Sequence, residues 1–133
     1  MRFKQFLLGL TVFGNSMVAL SADNPWLGVT ETDNWIFEAK KGTMFQNRLK
    51  DGSRNIGFIG RMRSQKTPSM EFHRWHINSD ACKVGMGVLF VSRLDGTPEG
   101  KHEFIADGGD ATASIADFIC SVDKYLAAKN GKK

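Results

Sequence analysis

"EFHRWHINSDACKVGMG", residues Glu71 to Gly87, holds two of the chain's three histidines and one of its two cysteines. It is either a catalytic or metal-binding cluster, or a strand that runs through a turn into a structural disulfide. Strand parity separates these readings. Side chains an even number of residues apart share one face of a strand, and those an odd number apart do not. Glu71 and His73 then share a face and His76 points the other way. A regular strand cannot bring both histidines to one ion. A β-bulge would, and one feature invites it: Met70 and Phe72 are out of phase with Trp75 and Ile77. A helix would bring His73 and His76 together at i, i+3, but the Phe, Trp and Ile content and the shortness of the run favour a strand.

The cysteine is read from the chain's start. Arg2 and Lys4 precede the apolar run "FLLGLTVF" (Phe6 to Phe13), and "MVALSA" (Met17 to Ala22) ends in small residues. This is the layout of a secretory signal peptide over residues 1–22, cut after Ser21 or Ala22. The apolar run falls short of the roughly 20 residues that span a bilayer, so no stable membrane insertion is expected once it is removed. Residues 23–133 then form one α+β domain of 111 residues (133 less 22). Losing Arg2 and Lys4 takes 18 basic residues to 16 against 14 acids, a net charge of +2. In the oxidising compartment that export implies, periplasmic or extracellular, Cys82 and Cys120 are expected to pair. On the chain-entropy argument a bridge closing 38 residues (120 less 82) is worth roughly 4 kcal/mol.

The stretch also sits inside a readable architecture. "NWIFEAKK" (Asn34 to Lys41) reads as a strand. "NIGFIGRMR" (Asn55 to Arg63) alternates, with Ile56, Phe58 and Met62 on one face and Asn55, Arg61 and Arg63 on the other. "VGMGVLFVSRL" (Val84 to Leu94) is apolar at both parities near its middle and reads as a central strand starting close to Cys82. "DGTPEG" (Asp95 to Gly100) suits a hairpin loop and "KHEFIA" (Lys101 to Ala106) its return strand. From Asp110 the period becomes helical: Ile115, Phe118, Ile119, Val122 and Leu126 form an amphipathic stripe, with Asp110 or Thr112 as cap. The expected fold is an antiparallel β-meander of about four to six strands, covered by one C-terminal amphipathic helix and held by one disulfide from helix to sheet. "DNPWLGVTETDN" before it reads as a lead-in, with Trp26 pinning the segment to the domain or exposed as a contact.

Legible chemistry is sparse. HExxH and CxxC spacings, GxSxG, an EF-hand ligand ladder and a glycine-rich phosphate loop are all missing, so we expect no metal, no cofactor and no catalytic set. A thiolate at Cys82 activated by His76 or His102 would need a free cysteine. Charge is more informative. Residues 40–66 carry eight basic residues against Asp51 alone, +7 in a chain whose formal total is +4. Arg48, Lys50, Arg54, Arg61, Arg63 and Lys66 are therefore candidates for a basic binding face. Nucleic acid is the poorest match for it, because few aromatics are interleaved. The sequence points to an exported binding protein that engages a protein or other anionic macromolecule, as an inhibitor or immunity-type partner. The competing readings are a small hydrolase or metal-dependent enzyme using Glu71, His73, His76 and Asp80, and a carrier of an anionic ligand on the basic face.

Overall fold

The computed structural model describes residues 24–131; the signal-peptide expectation for residues 1–22 lies outside them. Seven strands form one antiparallel sheet: β1 (Trp26–Glu31), β2 (Trp35–Lys40), β3 (Phe45–Arg48), β4 (Arg54–Ser64), β5 (Met70–Asn78), β6 (Met86–Ser92) and β7 (Pro98–Ile105). A short helix α1 (Asp80–Val84) interrupts the chain between β5 and β6, and α2 (Ala111–Gly131) ends it. The path of paired strands runs β1-β2-β4-β5-β6-β7. β3 also pairs with β4: the eleven-residue β4 takes β3 along Arg54–Gly57 and β2 along Gly60–Ser64, end to end on the same edge. The α+β meander with one covering helix and one disulfide is thus the fold.

The β4 and β5 ladder pairs nine residue positions without a break, from Asn55 with Asn78 to Arg63 with Met70. That register fixes both faces of the sheet. Ile56, Phe58 and Gly60 of β4, Trp75 and Ile77 of β5, Leu89 of β6, Phe104 of β7 and Phe37 and Ala39 of β2 share the inner face and are buried. α2 covers this face with Ala113, Ile115, Ala116 and Ile119. Phe58 stands edge-on to Phe118 of α2 and to Trp75, with centroids 5.2 and 5.4 Å away. Burying one such side chain contributes on the order of 1.5–3 kcal/mol. Asp110 caps the helix, its Oδ1 accepting from the Ala113 amide at 2.7 Å. No helix among the described residues is long and apolar enough to cross a membrane.

Two local expectations change. The segment holding Trp26 is a sheet strand: β1 pairs with β2 along its length, with a register shift between Gly28 and Thr30 that breaks the period-two pattern. Cys82 does not begin a strand. Ser79 is already helical, the Asn78 Oδ1 accepts from the Asp80 amide, and Gly85 closes α1 with φ +88°. The Cys82–Cys120 disulfide, with Cα atoms 5.6 Å apart, therefore joins α1 to α2 rather than helix to strand.

Candidate functional site

α2 covers one face of the sheet, and no element among the described residues covers the other. Its composition follows from the same register. Odd-numbered residues of β4 and even-numbered residues of β5 and β6 point outward: Arg61 and Arg63, Met70, Phe72, Arg74 and His76, Phe90 and Ser92. Phe45 of β3 faces outward opposite Gly57, and Trp26 of β1 opposite Lys40. Phe72 remains 44% exposed and Phe90 38%, large for aromatic side chains in strands. The phase change from Met70 and Phe72 to Trp75 and Ile77 is therefore no bulge. It marks a strand that is apolar on both faces.

Two clusters occupy this outer face. In the first, the Arg61 guanidinium lies over the Trp26 ring, 4.2 Å from its centroid, and Trp26 lies 6.0 Å from Phe72. Arg61 Nε and Arg63 Nε both donate to Glu38 Oε1, at 2.7 and 2.8 Å, and Arg63 Nη2 reaches Glu38 Oε2 at 3.3 Å. One carboxylate holds two guanidinium groups. Burial pushes the Glu38 carboxyl up, but the hydrogen bonds and charges of Arg63 and Arg61 outweigh it and hold the group below the ordinary carboxylate range.

The second cluster surrounds His76. Its Nδ1 lies 2.8 Å from Asn55 Oδ1 and its Nε2 3.2 Å from Ser92 Oγ. A neutral imidazole satisfies both contacts, donating to the amide oxygen and accepting from the hydroxyl. Burial, helped by the positive charge of Arg74, lowers the His76 pKa below the usual 6.5. The ring stacks on Phe90 at 5.4 Å and lies 6.3 Å from Phe45. Gly57 makes this arrangement possible, since a Cβ there would collide with the β5 backbone and the His76 Cβ.

The basic candidates separate. Arg54 turns to the inner side and grips Asp123 of α2 with two hydrogen bonds, 2.6 and 2.9 Å. Arg48 lines the same groove and donates to the Gly52 carbonyl. Lys50 and Lys66 are exposed in loops. Only Arg61 and Arg63 come together, on Glu38. Sequence reasoning missed Glu38, which the strand pairing places opposite Arg61, and Arg74, hidden in a run read for its histidines.

His73 and His76 point to opposite faces, as parity requires. His73 lies between two carboxylates at the inner side's margin, with Nδ1 2.8 Å from Glu99 Oε1 and Nε2 3.1 Å from Glu71 Oε1. Asp80 sits in α1, away from this group in the fold. No group of three His, Cys, Asp or Glu among the described residues is arranged to hold a metal ion. Both cysteines are in the disulfide, so the thiolate reading has no nucleophile. Comparison of the chain with protein-family models, with curated proteins and with solved structures found no match.

Proposed function

We propose that this protein is a binding module of an oxidising compartment, periplasmic or extracellular, that engages another protein through the open face of its sheet, in the manner of an inhibitor or immunity protein. One observation carries the reading: Trp26, Phe45, Phe72 and Phe90 share an uncovered face with arginines. Aromatic and arginine side chains are the types that dominate binding energy at protein interfaces. A rigid sheet also holds them without an ordering cost on association. The disulfide is consistent with an oxidising compartment, and the signal-like N-terminus with export. The enzyme reading has the Glu71–His73–Glu99 contact in its favour, but it loses His76 to the opposite face.

The test is capture from native extract by the tagged, disulfide-intact protein, compared with Phe72→Asp and with Tyr125→Asp on the exposed end of α2. A specific partner should be retained by the α2 variant and lost by Phe72→Asp. Equal recovery by all three proteins would remove the outer face from the argument. Cell fractionation tests the compartment.

A further inference from the structure

Building on that reading of the outer face, we propose that Arg74 receives a carboxylate of the partner, so that the docked segment is acidic with apolar neighbours. The starting point is an inventory of strand arginines. Arg54 is matched by Asp123, and Arg61 and Arg63 share Glu38. Arg74, at the middle of the same face, has no carboxylate within 4 Å among the described residues. Its Nε is buried and finds no hydrogen-bond partner among the described residues. A buried donor left unpaired is costly, and a charged one more so.

The neighbour of Arg74 across to β6, Ser92, turns its hydroxyl to His76 instead, 3.2 Å from Nε2. The guanidinium carbon lies 5.9 Å from the centre of the Phe45 ring, so an aromatic flanks the group. A planar guanidinium matches the two oxygens of a carboxylate. Arg61, Arg63 and Arg74 outnumber Glu38 and Asp95, the carboxylates that feel their charges, so this part of the face keeps excess positive charge, while Phe72, Phe90 and Trp26 border it with apolar surface. The complement is an acidic side chain flanked by apolar ones. A nucleic-acid backbone needs a track of several cations; here two of the three arginines are already engaged by Glu38.

The experiment uses the full, oxidised chain and a fluorescent peptide of alternating Glu and Phe, with the Gln–Phe peptide and an oligo-dT strand as comparisons. The wild type should bind the Glu–Phe peptide at least tenfold more tightly than either comparison. Arg74→Gln, checked for a thermal midpoint no lower than the wild type's, should lose that margin, Arg74→Lys should keep part of it, and Arg48→Gln all of it. The His76 ring signals in NMR should titrate at higher pH with the peptide bound, because an anion beside Arg74 offsets its charge. Failure of the wild type to bind, equal binding by Arg74→Gln, a preference for oligo-dT, or an unmoved His76 would each overturn the proposal. Loss of partner capture by Phe72→Asp with full capture by Arg74→Gln would sink the carboxylate site alone. Capture unaffected by Phe72→Asp would sink the interface reading.

Discussion

The Trp75 indole lies where a side chain on Gly60 would stand: a Cβ on that glycine would collide with the six-membered ring of the indole and crowd the Glu38 carbonyl. Gly60 is the gap in the inner face of β4 that admits the largest core ring, which meets Phe37 at 6.0 Å and Phe58 at 5.4 Å. Gly60→Ala should destabilise the domain by about 2–3 kcal/mol, the cost of forcing volume into a packed core. Urea unfolding would show it as a lower midpoint with an unchanged slope. A shift below a few tenths of a kcal/mol would mean that Trp75 can move aside.

Reducing the Cys82–Cys120 bond should lower stability by roughly 4 kcal/mol, the loop-closure entropy of a 38-residue separation. The bridge joins α1 to α2, so the sheet should outlast it and the helices loosen first. Hydrogen exchange after reduction should accelerate most in 80–84 and 111–131. Thiol titration of the denatured, unreduced protein should find no free cysteine.

Arg54 and Asp123 tie the start of β4 to α2 across 69 residues of chain. Both side chains are partly exposed, so solvent limits the pair to about 1 kcal/mol of coupling in a double-mutant cycle with Arg54→Gln and Asp123→Asn. The coupling should shrink in high salt.

Acid should unfold the protein through Glu38. Its folded pKa lies below the unfolded value, so its contribution is fully present above pH about 4.5 and lost as pH falls through the folded pKa. His76 acts in the same direction at higher pH: its lowered pKa favours the fold above about 6.5, and that part is lost as pH falls through its folded value. The urea midpoint, followed from about pH 7 to about pH 3, should fall in both windows. Glu38→Gln should flatten the lower one and His76→Gln the upper.

How much of this was legible depended on whether local pattern or register carried it. The α2 stripe and the alternation of β4 follow from period, and the pairing of the two cysteines from the export expected of the sequence; all three stand in the fold. β1 did not read as a strand because its shift between Gly28 and Thr30 breaks the alternation. Glu38 acquires meaning only when β2 is laid against β4, a relationship between residues more than twenty positions apart. The outer aromatic face left a trace in the phase change after Phe72. The same trace suits a bulge, and only the unbroken β4–β5 ladder decides between the two.

The disulfide also sets an order of events. A chain made from its N-terminus presents Cys82, together with the inner faces of β4 and β5, before Cys120 and α2 have emerged. During that interval Phe58, Trp75 and Ile77 lack their cover and the first thiol lacks its mate. The half-made molecule is then open to sticking to its neighbours and to forming mixed disulfides with them. Arrival of α2 ends both exposures at once, so this helix serves as the domain's closing latch.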